Sequence, residues 1–173
     1  MMDLEVLISE EQLQQRIKEL GEQISKDYDG KEVLMLCILK GGVMFMCDLA
    51  KRMSIPVQMD FMSVSSYGSA TVSSGVVKIV KDFDEPLDGR DILIVEDIID
   101  SGHTLNYLKT LLEGRNPNSI KLCTLLDKPE TRTVTVDVDY VGFTIPNKFV
   151  VGYGLDYNQN YRNLPYIAVN KNI

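Results

Sequence analysis

Hydrophobic residues recur along this chain with two different spacings. Ser9-Glu10-Glu11-Gln12 has the pattern of a capping box, and the apolar positions after it are four, three and four residues apart (Leu13, Ile17, Leu20 and Ile24). Side chains at this spacing share one face of a helix, so the sequence predicts an amphipathic first helix. Val33 to Leu39 is a continuous apolar run of strand length, which predicts a buried strand.

Segments of strand character and helix character then alternate. Further strands are predicted at 57–64, 92–95 and 120–126, and helices at 42–52 and 104–113, the second ended by Gly114. Such alternation implies right-handed crossovers and a mostly parallel sheet. The sequence therefore predicts an α/β fold, with a core over about residues 30–132 of a single domain spanning 1–173.

Two regions break this alternation. Residues 63–75 are small and polar without clear periodicity, and composition leaves a mobile lid and a surface loop equally open. After residue 132, short strands are predicted at 133–136, 138–143 and 149–151. These could extend the sheet or build a small cap over it.

Composition narrows the class of protein. The 173 residues suit one domain, and 45% hydrophobic with 25% charged residues is typical of a soluble globular protein. No apolar run approaches the roughly 18 residues of a membrane helix, and the N-terminus lacks a signal-peptide pattern, so we expect a cytoplasmic protein without membrane association. Cys37, Cys47 and Cys123 have no CxxC spacing, and we expect them to be small core residues.

The net charge of -7 constrains the partners of the protein. No Lys/Arg-rich run is present, which argues against nucleic-acid binding. An acidic protein that handles a polyanion needs local positive charge or metal ions.

Candidate chemistry concentrates in residues 95–105, VEDIIDSGHTL. Glu96 and Asp97 follow an apolar strand, and Asp100 precedes Ser-Gly-His-Thr at the start of a predicted helix. A helix N-terminus favours phosphate, whereas the carboxylates favour hydroxyls or a hydrated divalent cation. A sugar phosphate satisfies both ends. The Asp-Ser-Gly of aspartic proteases belongs to all-β proteins, and the magnesium site of phospho-receiver domains leaves the Ser-Gly-x-Thr turn without a role.

The stretch VEDIIDSGHTL resembles the phosphoribosyl pyrophosphate (PRPP) motif of the type I phosphoribosyltransferases, especially their 6-oxopurine branch. Four further segments resemble family motifs in the family's order: the pyrophosphate loop at 39–42, the lid at 66–68, the purine-oxygen site at 127–129 and the hood at 148–158. The resemblance implies a mostly parallel twisted sheet flanked by helices, with a small hood built from terminal segments, chiefly the C-terminal one.

The implied reaction transfers phosphoribosyl from PRPP to hypoxanthine or guanine and releases pyrophosphate. By resemblance, Glu96 and Asp97 hold the ribose hydroxyls and a Mg2+ ion. The 5'-phosphate would be bound by Ser101, Gly102 and Thr104, with His103 a peripheral neighbour. Asp100 is the implied general base near the purine N7, although an Asp here could also only cap the helix.

The other motifs imply the remaining roles. Pyrophosphate would be bound by Lys40, Gly41, Gly42 and Arg162, with a cis peptide between Leu39 and Lys40. The lid would be formed by Ser66 and Tyr67. The purine would contact Lys128, Phe149, the backbone of Val150, and Asp156, which would lie beside a second Mg2+ site. Residue type alone would make 39–42 a plain turn, Phe149 a core aromatic and Arg162 a surface charge.

Two rival functions remain. A PRPP-sensing or nucleotide-sensing regulator of the same fold would need a basic face or an added DNA-binding domain, which this sequence lacks. A phosphoribosyltransferase for another base is the second rival; Lys128 and Phe149 argue against a pyrimidine but leave xanthine open. The resemblance also implies a homodimer or homotetramer.

Overall fold

Strands and helices alternate along the chain in the computed structural model, which describes residues 3–66 and 77–171. The helices there are α1 (Glu10–Asp27), α2 (Val43–Lys51) and α3 (His103–Glu113), with a short 3-10 helix at Pro129–Thr131. The strands are β1 (Leu4–Ile8), β2 (Val33–Leu39), β3 (Val57–Ser66), β4 (Val77–Lys81), β5 (Asp91–Ile99), β6 (Ser119–Asp127), β7 (Tyr140–Thr144), β8 (Val150–Val151) and β9 (Ile167–Asn170). The predicted strand at Val33–Leu39 is confirmed at both ends, and the predicted bounds of α2 and α3 hold within one residue.

In the part of the chain that the structure describes, six strands form the main sheet in the order β4-β3-β2-β5-β6-β7. Strands β3, β2, β5, β6 and β7 run parallel, and β4 joins the edge antiparallel to β3. The predicted α/β fold with a mostly parallel sheet is confirmed. The carboxyl ends of β2, β5 and β6 meet at one edge of the sheet, where ligands of such folds bind.

Helices cover both faces of this sheet. Met35 and Cys37 of β2 pack in the core beneath α1 and α2, whereas Leu34 and Leu36 pack in the core beneath α3. Burial on both faces explains why β2 is apolar throughout. The capping box of α1 is confirmed, because Ser9 Oγ accepts from Gln12 N at 3.2 Å and Gln12 Oε1 accepts from Ser9 N at 2.9 Å.

A second, smaller sheet has the antiparallel order β1-β9-β8. It joins the N-terminal strand to two C-terminal ones, in agreement with the predicted hood of terminal segments. The hydrophobic pattern predicted neither β1 nor β9. Both are short, and the pairing between the two ends of the chain is what makes them strands.

Three expectations were wrong. The strand predicted at 133–136 does not form, because the N-H groups of Thr133 and Val134 instead donate to Ser101 O at 3.0 and 3.1 Å. Strand β5 extends to Ile99, so the two acidic residues after Val95 lie inside it rather than in the following turn. Cys37 and Cys123 are buried, but Cys47 is exposed on the outer side of α2.

Among the described residues, no helix combines the length and the hydropathy that crossing a membrane would need.

Candidate active site

The turn between β5 and α3 presents backbone donors. Gly102 precedes the first residue of α3 with a φ of 92°, a conformation that L side chains rarely adopt. Within the described ranges no side chain caps this helix, so the N-H groups of its first turn remain available to a ligand. This geometry is consistent with the expected role of Gly102 in shaping the turn, and backbone N-H groups so placed are the donors that a bound anion would need.

A cavity of about 220 Å3 opens above this turn. It brings together five of the predicted site residues with three apolar neighbours: Glu96, Asp100, Ser101, Gly102 and Thr104, with Ile98, Ile99 and Leu105. His103 lies beside Thr133 instead, with Nε2 3.0 Å from Thr133 Oγ1. The cavity therefore combines carboxylates with hydroxyls and helix N-H groups, the donor set expected for a sugar phosphate.

Glu96 and Asp97 are adjacent carboxylates that interact with each other and also have separate neighbours. Glu96 is buried in the wall of the cavity, whereas Asp97 packs against Gly41 of the loop between β2 and α2. Burial raises the pKa of Glu96 well above its usual range, and the Asp97 carboxylate raises it further. Burial also raises the pKa of Asp97, although a hydrogen bond with Glu96, the Ile98 N-H at 2.7 Å and Arg162 oppose that rise. Two buried carboxylates so placed are stabilised in the ionised form by a cation.

The loop after β2 is packed tightly between β5 and the segment after β8. A Cβ on Gly41 would overlap the Asp97 carboxylate, and a Cβ on Gly154 would overlap the Gly41 carbonyl. The Leu39-Lys40 peptide is cis, as predicted. Glycine is required at both positions because three backbone segments meet there.

Two cations converge at this contact. Arg162 donates through Nη1 to Gly154 O at 2.7 Å and pairs through Nη2 with Asp156 Oδ1 at 3.0 Å. Lys40 Nζ donates to Gln159 Oε1 at 3.1 Å, and Arg162 Nη2 lies 3.3 Å from the same oxygen. Arg162 is 22% exposed and is held by backbone, so it is not a free surface charge. The predicted pyrophosphate residues are thus brought together.

Lys128 follows β6 and lies beside the end of β5. Its side chain is only 8% exposed, and Nζ is 4.0 Å from Asp100 Oδ2, whereas the Asp100 side chain is 60% exposed. The Lys128 N-H donates to Ile99 O at 3.1 Å, which fixes this approach. A buried ammonium and an accessible carboxylate therefore lie side by side at the ends of β5 and β6.

The aromatic predicted to stack on the purine is not a core residue. Phe149 is 40% exposed and meets the Tyr157 ring edge to face, with centroids 5.9 Å apart. Val150 is buried and pairs with Val169 in the hood. Asn147 N donates to Glu130 Oε2 at 3.3 Å, which brings this segment beside the purine-oxygen motif.

The lid prediction is only partly within the described residues. Ser66 is the last residue of β3, and Tyr67 lies outside the described residues.

Sequence reasoning missed two site neighbours. Gln159 joins Lys40 to Arg162, and Arg132 pairs with Asp127 and donates to Asp100 O. Neither stands in a motif that would have indicated its contacts.

The acidic residues fit a magnesium ion that is completed by substrate. Within 3–66 and 77–171, no group of three or more His, Cys, Asp or Glu side chains could hold a metal by itself. Mg2+ commonly takes one or two protein carboxylates and fills its octahedron with water and phosphate oxygens. Glu96 and Asp97 match that donor set.

A family model of the phosphoribosyl transferase domain matches residues 8–158. The chain belongs to the phosphoribosyltransferase family. The predicted family and fold class are confirmed by this match. The sites of this phosphoribosyltransferase that were described above all fall in or directly after the matched range.

Curated relatives of this phosphoribosyltransferase are similar over nearly its whole length. It is 52% identical to a hypoxanthine-guanine phosphoribosyltransferase of Streptococcus thermophilus, over 96% of this chain and 92% of the relative. It is 55% identical to the Mycobacterium tuberculosis protein of that name, over 94% and 84%. It is also 57% identical to the bifunctional protein TilS/HprT of Listeria innocua, over 96% of this chain, but it spans only 26% of that relative's length.

Solved structures give the same result. A hypoxanthine-guanine phosphoribosyltransferase from Bacillus anthracis superposes with a TM-score of 0.94 at 48% identity, covering 98% of this chain and 99% of that one. A hypoxanthine phosphoribosyltransferase from Staphylococcus aureus superposes with a TM-score of 0.95 at 49% identity, covering 98% and 92%.

Proposed function

We propose that this chain transfers phosphoribosyl from PRPP to hypoxanthine, and also to guanine, giving IMP or GMP and pyrophosphate as a purine-salvage reaction. The observation that carries the proposal is the buried Lys128 ammonium 4.0 Å from Asp100, at the mouth of a phosphate-binding turn. Lys128 would donate to a purine oxygen and Asp100 would accept from a purine N-H, next to the anomeric carbon of a phosphoribosyl group bound at this turn. The names of the near full-length relatives support the same reaction.

The ribose phosphate is assigned to the cavity above α3. Ser101, Gly102 and Thr104 line it and would donate backbone N-H and hydroxyl groups to the 5'-phosphate. Glu96 and Asp97 would accept from the ribose hydroxyls. Fixing both ends of the sugar orients its anomeric carbon between base and leaving group, and such positioning contributes much of the rate.

The leaving pyrophosphate is assigned to the loop after β2. The backbone of Gly41 and Gly42 would bind its oxygens, while Lys40 and Arg162 lie near enough to neutralise its growing charge. The transition state resembles a ribosyl oxocarbenium ion, so the nearby carboxylates also stabilise the positive charge of the ring.

The purine is assigned to the space between Lys128 and the hood. Lysine has donors only, so Lys128 would donate to a 6-oxo group and would oppose the 6-amino group of adenine, which is also a donor. Phe149 would stack on the ring, and the Val150 backbone would read its edge. Asp100 would take or share the N7 proton as the bond to N9 forms.

Magnesium completes the proposed site. Glu96 and Asp97 would hold one ion through the ribose hydroxyls, and Asp156 would stand near a second. A bound Mg2+ ion neutralises pyrophosphate charge, which lets an acidic site accept PRPP. Closure of the lid, with Ser66 and Tyr67, would exclude water that hydrolyses PRPP.

The remaining assignments concern the whole molecule. We infer one domain over residues 1–173, a homodimer or homotetramer, and a cytoplasmic location. The free thiols of Cys37, Cys47 and Cys123 suit a reducing compartment.

The test is pyrophosphate release from PRPP and Mg2+ with hypoxanthine, guanine, xanthine or adenine, with Asp100→Asn beside the parent. We expect turnover of hypoxanthine and guanine, none of adenine, and a loss of roughly 100-fold or more in the variant. Binding of PRPP without release with any base would contradict the enzyme and favour a sensor.

A further inference from the structure

Arg132 contacts three separate parts of the proposed site from below. Its Nη2 pairs with Asp127 Oδ1, its Nε donates to Asp100 O at 3.0 Å, and its Cδ would lie 3.0 Å from a Cβ on Gly102. The Arg132 side chain is 18% exposed and that of Asp127 is 17% exposed. A half-exposed surface pair would contribute little, but this pair is largely removed from water.

The residues after Arg132 continue the same support. Thr133 N and Val134 N both donate to Ser101 O, at 3.0 and 3.1 Å. Together with the Arg132 contact, these bonds occupy the carbonyls of Asp100 and Ser101, two successive residues of the turn between β5 and α3, called here the phosphate turn. Because residues 132–134 hold these carbonyl oxygens, the oxygens do not point at a bound anion, and the N-H groups of the turn would face it instead. The irregular segment that replaces the predicted strand at 133–136 therefore holds the backbone of the turn between β5 and α3.

The Arg132–Asp127 ion pair also adjoins Lys128 along the chain. Asp127 immediately precedes Lys128, and Asp127 pairs with Ile99 where β6 lies next to β5. Because Arg132 neutralises the Asp127 carboxylate, that carboxylate does not compete for the Lys128 ammonium. Lys128 then keeps its donors for the base.

We propose that Arg132 is a positioning residue with two separable effects, one on the phosphate turn and one on the availability of Lys128. Through Asp100 O it orients the turn that binds the ribose phosphate and carries the general base. Through Asp127 it keeps Lys128 free for the purine oxygen. This inference rests on the proposed function.

Three variants separate these effects. Arg132→Gln removes both the charge and the planar guanidinium group, whereas Arg132→Lys keeps the charge without the planar group. In the double variant, Asp127→Asn added to Arg132→Gln removes the carboxylate that would be left unpaired. Arg115→Gln is the control for loss of an arginine–aspartate pair, since Arg115 pairs with Asp82 at 2.9 and 2.7 Å and neither residue lines the site.

Steady-state kinetics with varied PRPP and varied hypoxanthine give the readout. We expect Arg132→Gln to lower kcat/KM for PRPP roughly 100-fold, which is the scale of a displacement of about 1 Å, and Arg132→Lys to lower it about 10-fold. The KM for hypoxanthine should rise in Arg132→Gln but not in Arg132→Lys. The double variant should restore that KM without restoring kcat/KM for PRPP, a split that general destabilisation does not produce.

Each outcome decides the matter. Equal losses in Arg132→Gln and Arg115→Gln would overturn the positioning role, and an unrestored hypoxanthine KM in the double variant would overturn the effect on Lys128. If Arg132→Gln does not fold, Arg132→Lys provides the test, because parent-like kinetics in that variant would refute orientation of the turn by the guanidinium group. An inactive parent would instead refute the proposed function, so the two failures remain distinguishable.

Discussion

Gly41→Ala tests whether the contact between the pyrophosphate loop and β5 sets the geometry of the site. The added Cβ would overlap Asp97 Oδ2 and lie 2.7 Å from Asp97 Cγ. Asp97 cannot easily withdraw, since its Oδ1 accepts from Ile98 N at 2.7 Å. The loop cannot easily withdraw either, because Gly154 packs against the Gly41 carbonyl.

The magnitude follows from the distance that must be gained. Ordinary contact needs about 3.4 Å, so either the carboxylate or the loop must move by roughly 1 Å or more. Overpacking of this kind costs about 1–3 kcal/mol of stability, which a domain stable by about 5–15 kcal/mol survives. A displacement of about 1 Å at reacting groups costs roughly 100-fold in rate. We therefore expect a folded protein whose kcat/KM for PRPP is about 100-fold lower.

The assay combines urea unfolding with steady-state formation of IMP. Gly114→Ala is the matched control, because Gly114 has a φ of -64° and its Cβ would stand 3.4 Å from the nearest atom, Leu111 O. The control should keep parental activity and gain about 0.5–1 kcal/mol. Activity of Gly41→Ala within about threefold of the parent would refute the reasoning, since a misplacement of about 1 Å should cost roughly 100-fold.

Three further predictions concern stability, specificity and the metal. Hydrogen bonding from Ser119 lowers the pKa of Asp91 against the opposing effect of burial, and Asn118 lowers it further. Asp91 thus adds stability above its unfolded pKa of about 3.9, and this stability is lost as pH falls through the lower folded pKa. Asp91→Asn should cost about 1 kcal/mol at pH 7 and progressively less as the pH falls below about 3.9 in urea unfolding, and a pH-independent cost would contradict this. Lys128→Gln should lower kcat/KM for hypoxanthine roughly 10- to 100-fold and narrow its preference over adenine, whereas an unchanged ratio would remove Lys128 from base selection. Chelation by EDTA should abolish turnover and excess Mg2+ should restore it, and turnover that persists in EDTA would contradict the metal assignment.

The sequence predicted best where one physical requirement governs a whole segment. β2 is buried on both faces, so its apolar run matches the strand end to end. β1 has only Ile8 buried, and its strand depends on pairing with β9 at the other end of the chain. Pairing between remote segments leaves no local periodicity, and the hydrophobic pattern therefore missed both strands.

The site divides in the same way. The motif at 95–105 predicted residues that do share one cavity, because a strand and the helix after it fix their neighbours locally. It did not predict that Asp97 turns away from that cavity toward Gly41. The contacts of Arg132 could not be predicted from the sequence, since its partner Asp100 lies 32 residues earlier and the two meet only through the packing of β6 beside β5.

The most direct test of the central claim is the stoichiometry of the reaction with purified protein, PRPP, Mg2+ and hypoxanthine. Nucleotide and pyrophosphate would be quantified in the same samples over time, with adenine in parallel. The account predicts one pyrophosphate for each IMP formed and no nucleotide from adenine. Pyrophosphate without IMP, or equal turnover of adenine, would contradict it.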